Sequence, residues 1–243
     1  MKFDENSSFL FEAGNKNGLI DNEATEMFTK DFTALVRFKP DWRKMKTLYA
    51  ENSNRYTGCL FGKNGQHIGA FYTLHTDEHN NDYHTIAFEY WEKTQDLAGA
   101  DMKFISVDIT STRGDEFVDL IYKRDNDVFS IKVGDIEKQM PVSRLIDYSE
   151  SYFWLAAANR LSADHNSIFH GDITLMHIQE SVLTDEECEE FFNNTTDFIK
   201  YVSKRPESRT VFTSTFRHFT DYKILDESDN GNHPIKFSKE WLS

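Results

Sequence analysis

Cysteine is almost missing from this chain: two residues in 243, Cys59 and Cys188, far apart in sequence. That excludes a disulfide framework, and neither residue sits in a metal-binding or redox spacing. Cys188 lies one helical turn before Phe191 and Phe192, so it reads as a small buried hydrophobe. Proline is scarce, at four residues. No apolar run approaches the ~20 residues of a membrane-spanning helix, and no membrane insertion is expected. The opening "MKFDENSSFLFEAG" lacks the long apolar segment of a signal peptide, so no secretion address is expected there. Positive charge is also short, with 27 Lys and Arg against 41 Asp and Glu and a net charge of −14. An acidic surface repels phosphate, which argues against nucleic acid and anionic membranes as partners. No tandem repeat or low-complexity segment occurs.

Aromatic residues are plentiful, with 21 Phe, 10 Tyr and 4 Trp, and together with Asn, Asp and Gly turn clusters they favour strands. Period-two alternation recurs along the chain. "FTALVRF" (32–38) sets Phe32, Ala34, Val36 and Phe38 against Thr33, Leu35 and Arg37. "CLFGKNGQHIGAFYTL" (59–74) reads as two strands joined at "GKNG", and "HTIAFEYW" (84–91), "KFISVDIT" (103–110), "SYFWLAAA" (151–158) and "DITLMHI" (172–178) as further strands. "EFVDLIYKRDNDVFSIKV" (116–133) reads as a hairpin with the polar turn "KRDND". On that turn, Val118, Leu120 and Tyr122 share a parity with Val128, Ser130 and Lys132, and Phe129, Ile131 and Val133 take the other.

One helix is clearly signalled. Thr184 is an N-cap, Glu187 completes a capping box, and Asp185 and Glu186 complement the helix dipole in the first turn. A polar seam, "KYVSKRPESR" (200–209), then separates residues 1–200 from a tail, 201–243, too short for a core of its own.

The stretch "FHGDITLMHIQESVLTDEECEEFF" (169–192) resembles the closing unit of laminin G-like, concanavalin A-like jelly rolls. Phe169, Gly171, Ile173, Met176 and Ile178 match the strand of that pattern, and Leu183, Thr184 and Glu187 its helix entry. "MKFDENSSFLF" and "FTKDFTALVRFKPD" resemble the family's opening strands, and "VFSIKVGDIEKQ" and "FWLAAA" its later hairpin and strand. The resemblance covers about residues 1–195 in family order. It implies an all-β, concanavalin A-like antiparallel jelly-roll sandwich over 1–200, with one short helix after the closing strand. Residues 201–243 are expected as a C-terminal extension packing on it. "DESDNGNHPI" (226–235), which many family members carry before the first strand, reads as a permuted edge strand or the start of a further repeat.

In the family an Asp after the strand Ile is often linked with structural calcium. Thr174 stands there in this chain, and Asp172, two positions earlier, is the nearest substitute. The richest polar cluster, "HTDEHNNDYH" (75–84), adds Asp77 and Asp82 as candidate calcium ligands against the alternative of a solvated hairpin loop. Glycan binding calls for aromatic platforms with polar groups beside them, and Tyr72, Tyr83, His84 and Trp91 are the candidates, with Glu89 and Tyr90 nearby. Trp42 and Trp154 read as core residues. Paired carboxylates of the E-x-D-x-E type used by laminarinase-like hydrolases are missing from the sequence. The expected role is therefore non-catalytic recognition of a glycan or a protein receptor. A glycosidase or lyase of the same fold is the alternative, and a structural oligomerisation module the third. The composition suits a phage structural or tail-associated protein, or a targeting domain in a larger surface protein. Oligomeric state and ligand are not legible.

Overall fold

The computed structural model describes residues 2–3, 9–11, 30–48, 54–63, 68–93, 99–112, 115–142, 153–155, 169–195, 209–217, 219–220, 223–224, 227 and 235–236. In chain order the strands are β1 (Lys2–Phe3), β2 (Phe9–Phe11), β3 (Phe32–Pro40), β4 (Arg55–Lys63), β5 (Ile68–Thr76), β6 (Asp82–Lys93), β7 (Ala100–Asp108) and β8 (Val118–Asp125). They continue with β9 (Val128–Val133), β10 (Ile136–Pro141), β11 (Phe153–Leu155), β12 (Gly171–Glu180), β13 (Arg209–Ser214), β14 (Phe219–Thr220), β15 (Lys223–Ile224) and β16 (Ile235–Lys236). Helix α1 (Trp42–Thr47) follows β3, and α2 (Asp185–Asn193) follows β12.

All the pairings are antiparallel and build two sheets. One runs β1-β12-β3-β8-β9-β10, with β13 also on β12; the other runs β14-β15-β16-β2-β11-β4-β5-β6-β7. The tail thus supplies strands to both: β13 lies against β12, and β16 against β2. Within "DESDNGNHPI", Ile235 opens β16, whereas residues 226 and 228–234 lie outside the described residues, as do 64–67 of the β4–β5 link and 156–158 after β11.

Alternation decides what the sheets enclose. Phe32, Ala34, Val36 and Phe38 of β3 face Tyr72, Ile86, Phe88 and Tyr90 of the other sheet in one buried cluster. Rings interlock across the interface: Phe32–Phe88 at 6.1 Å, Phe61–Tyr122 at 5.7 Å and Tyr90–Phe129 at 4.9 Å between centroids. Each such ring contributes roughly 1.5–3 kcal/mol by burial, which is what makes the aromatic-rich composition a sandwich core.

Two registers differ from the alternation read along the chain. The β8–β9 turn is only Asn126–Asp127, with Asp125 opposite Val128, so Tyr122 meets Ile131 and Leu120 meets Val133. Phe129 and Ile131 therefore join Leu120 and Tyr122 in the core, and Val133 packs against it. Asn126 takes φ 53°, a left-handed geometry that Asn tolerates. In β12 a bulge falls between Ile173 and Leu175, opposite Phe38 and Arg37. It resets the phase, so Ile173, Met176 and Ile178 are all buried inside. Gly171 opens that strand at φ 148°, where a Cβ would lie 2.2 Å from Lys39 O; only glycine lets β12 approach β3 there.

Helix α2 carries the expected capping box: Thr184 Oγ1 accepts from Glu187 N at 3.3 Å, and Glu187 Oε2 from Thr184 N at 2.9 Å. Its Cys188, Phe191 and Phe192, with Leu183, cover Leu35, Ile121 and Leu175 on the outer face of the first sheet. Thr33 ties the connection down, donating to Ser181 O at 2.8 Å and accepting from Leu183 N at 2.9 Å. The fold is an all-β antiparallel jelly-roll sandwich with this short helix after β12. A second helix, α1, was not legible in the sequence. Asp41 caps it, accepting from Lys44 N at 3.1 Å, and Met45 buries beneath it. Both cysteines are free and buried.

Candidate functional site

On the outer face of the nine-stranded sheet, Tyr83 of β6 and Met102 and Phe104 of β7 are exposed, whereas Phe71 and Thr73 of β5 and Ala87 of β6 are buried. The registers of these strands align residues in rows across it: Tyr83 opposite His75, Thr85 between Thr73 and Asp108, and Ala87 between Phe71 and Ser106. Further along, Glu89 lies between Gly69 and Phe104, and Trp91 opposite Met102. Even-numbered positions of β5 and β6 point into the core, and odd-numbered ones outward.

This parity divides the four residues expected to bind sugar. Tyr72 and His84 are inside: both are buried, Tyr72 Oη lies 2.5 Å from His84 Nδ1, and Tyr72 packs on Phe38. Neither can serve in an exposed platform, which corrects that expectation. Tyr83 and Trp91 are on the outer face, where Tyr83 is 40% exposed and Trp91 half-buried. Two residues not singled out from the sequence join them: Phe104, 56% exposed, and Met102, 48% exposed. The signal was present in "KFISVDIT", where Ile105 and Val107 take the core parity and leave a Phe on the other. Between the rims formed by Tyr83 and by Phe104, Trp91 and Met102 lie the small residues Thr85, Ala87 and Ser106. From Tyr83 to Glu89 the strip runs six residues, about 20 Å at the rise of a strand.

The polar groups of the strip are Thr85, Ser106, Asp108 and Glu89. Burial raises the Glu89 carboxyl above its usual range, with the charge of Arg55 opposing. Asp108 lies four residues along β7 from the position opposite Glu89, about 13 Å away. Paired glycosidase carboxyls lie about 5–10 Å apart. Among the described residues, then, none places a second carboxylate beside Glu89.

Among the described residues, the three aspartates expected to hold calcium are not brought together. Asp77 accepts from His79 N and Asn81 N, both at 2.8 Å, from Asn81 Nδ2 at 3.0 Å and from Tyr83 Oη at 3.2 Å. These bonds, Asn81's first, hold its pKa below the usual carboxylate value. Asp77 is the organiser of the β5–β6 loop and the anchor of the Tyr83 ring. Asp82 receives Lys46 Nζ at 2.8 Å on both oxygens and Thr76 Oγ1 at 2.6 Å. Burial would raise its pKa, but these bonds outweigh it. An ammonium group already stands where a cation would have to bind. Asp172 sits on β12 opposite Lys39, on a different sheet from the other two. Among the described residues no group of three or more His, Cys, Asp or Glu is arranged to hold a metal.

Asp172 instead lines a cleft of about 140 Å³ with Lys39, Asp41, Trp42, Arg43 and Asp115. The Arg43 guanidinium stacks 4.4 Å from the Trp42 ring, and Asp115 accepts from Arg43 Nη1 at 2.8 Å and from Trp42 Nε1 at 3.3 Å. Trp42 also meets His84 edge-on at 5.8 Å. Trp42 therefore belongs to α1 and is partly buried against the core.

No protein-family model and no curated protein matches the sequence. Solved structures with low similarity include the CBM2 module of the evolved Dit of Lactobacillus casei BL23 phage J-1, at 17% identity over 61% of this chain and TM-score 0.32. CG-16, a homodimeric agglutinin from chicken liver, aligns at 11% identity over 61% of this chain and 91% of its own, with TM-score 0.31. LamAcat from Zobellia galactanivorans aligns at 14% over 61%, with TM-score 0.33. The chain spans about three fifths of the phage module and of LamAcat, 58% and 62% of their lengths. This chain's own strand order and register define the class: an all-β antiparallel jelly-roll sandwich, with α2 on the outer face of one sheet and Tyr83, Trp91, Phe104 and Met102 on the outer face of the other.

Proposed function

We propose that the chain is a non-catalytic recognition module that binds a glycan along the β6–β7 strip. The observation that carries the reading is the alignment of Tyr83, Trp91, Phe104 and Met102 on one outer face, around a row of small polar or apolar residues. Aromatic rings offer flat apolar surfaces to the C–H faces of sugars, and Thr85, Ser106, Asp108 and Glu89 supply partners for hydroxyls. Asp77 holds the Tyr83 ring in place through its hydroxyl, so this part of the platform is preorganised. The acidic, aromatic-rich composition suits the recognition part of a phage tail or another surface assembly.

A glycan array with the full chain tests this, alongside a variant carrying Tyr83→Ala, Trp91→Ala and Phe104→Ala. Binding by the wild type and its loss in the variant are expected. An array with no bound glycan overturns the reading. A protein receptor is the second reading, favoured by the exposure of Met102 and Phe104 on β7, the last strand of its sheet.

A further inference from the structure

Glu89 stands apart from the other acidic residues of the strip. Asp108 accepts from Thr110 N at 2.8 Å, and the nearby Asp77 and Asp82 are consumed by the loop and by Lys46, whereas Glu89 is half-buried and accepts no hydrogen bond from any described residue. Such a carboxylate is costly to a fold unless something supplies donors. Its surroundings on the face are apolar or small: the buried Gly69 and Phe71 on β5, the buried Ala87 and half-buried Trp91 on its own strand, and on the open β7 side Phe104, Met102 and Ser106. The charged or titratable groups that act on it come from β4: the Arg55 guanidinium and the buried Cys59 thiol. Directly across the ladder is Phe104, the most exposed large apolar residue of the strip.

Resting on the glycan-binding reading above, we propose that Glu89 is the hydroxyl-binding anchor of the strip, selecting neutral glycans with a free vicinal diol over uronates and sulfated sugars. The two oxygens of one carboxylate accept from two adjacent hydroxyls, and Phe104 receives the C–H face of the same ring. The diol supplies the donors that the protein withholds. A sugar carboxylate or sulfate brings a second negative charge against a desolvated one, and among the described residues none of the outward neighbours of Phe104 is a cation; Arg55 stands on β4, beyond β5. Protonation of Glu89 removes an acceptor, so acid weakens binding.

Titration calorimetry on the full chain provides the test, with three oligosaccharide probes. A 1,4-linked glucose hexamer has a free diol on every internal ring, a 1,3-linked glucose hexamer has none internally, and a 1,4-linked uronate hexamer has the diol and the charge. The 1,4-linked neutral probe is expected to bind tightest. Glu89→Gln is expected to weaken it about ten- to hundredfold, the worth of hydrogen bonds to a charged group. Its melting temperature should be no lower than that of the wild type, because a desolvated charge is gone. Acidification through the carboxylate range should weaken the wild type and leave Glu89→Gln unchanged, and the wild-type pH profile alone decides the point if the variant misfolds. Preference for the uronate, or a pH-independent wild type that still binds the neutral probe, overturns the anchor while leaving the glycan reading standing. Absence of any bound glycan on the array overturns both.

Discussion

Tyr72 and His84 form a sealed polar pair, 2.5 Å from Oη to Nδ1, between the two sheets. Tyr72 is fully buried and His84 nearly so. Burial lowers the His84 pKa, against the pull of Asp82, Asp108 and Asp115, so the ring is neutral at pH 7. Tyr72→Phe keeps the core volume but leaves Nδ1 without that partner. The variant should lose about 1–3 kcal/mol in urea unfolding while glycan affinity stays unchanged, since neither side chain reaches the outer face. A change in affinity would mean the interior pair contributes to binding after all.

His177 gives the fold a sensitivity to acid. It is buried under α2 beside Phe191, with Thr213 Oγ1 2.7 Å from Nδ1 and Gln179 Oε1 2.8 Å from Nε2. Desolvation lowers its pKa to about 4, Gln179 opposing. The folded value is below the unfolded one, so stability is complete above about pH 6.5 and falls as pH drops towards 4. The loss amounts to about 3 kcal/mol by linkage. Urea melts at pH 7, 5 and 4 should show this decline in the wild type and a flatter dependence in His177→Gln. Equal slopes would exclude His177 as its source.

The start of α2 is pinned by Asp185, which takes Lys123 Nζ at 2.7 Å and Lys132 Nζ at 2.5 Å from β8 and β9. Those bonds hold its pKa down at about 2. The contribution is present above the usual Asp range and disappears as pH falls through about 2. Asp185 is 47% exposed, and solvent screens the pair, so Asp185→Asn should cost only about 1 kcal/mol at pH 7. High salt should shrink the difference between variant and wild type. Chemical denaturation at two ionic strengths reads both effects.

Calcium or zinc should not raise the melting temperature, because Asp77 and Asp82 already have protein donors on their carboxylates. Asp77→Ala should instead lower it without any metal present and loosen the Tyr83 ring. Thermal melts with and without added calcium, zinc and chelator check this, and a metal-dependent gain that disappears in Asp77→Ala would reverse the conclusion.

Much of the fold was readable along the chain. The alternation of β3, β6 and β12 identified strands within a residue or two of their ends, β7 was read three residues short at its start, and Thr184 with Glu187 identified α2. Both signals are local: side chains alternate every residue, and a capping box spans four. Phases were less secure. The expected five-residue turn put Phe129 and Ile131 on the wrong parity, because a two-residue turn shifts every later side chain to the opposite face. A bulge at Thr174 shifts the phase within β12 as well, which strict alternation along 172–178 does not reveal. Helix α1 was missed since its six residues, "WRKMKT", bury only Met45 and carry no periodic apolar stripe.

The sequence by itself determined the aromatic supply, the strand segments, the capped helix and the acidic surface, since each follows from residue type and short-range spacing. Tertiary structure decided which aromatics are core and which are platform. Tyr72 and Tyr83 look alike as sequence, yet cross-strand register turns one inward to His84 and the other outward to Asp77. The same register brings Phe104 opposite Glu89 from 15 residues away, and gives Asp82 to Lys46 instead of to a cation. Such pairings depend on which strands lie side by side, and no local pattern encodes that.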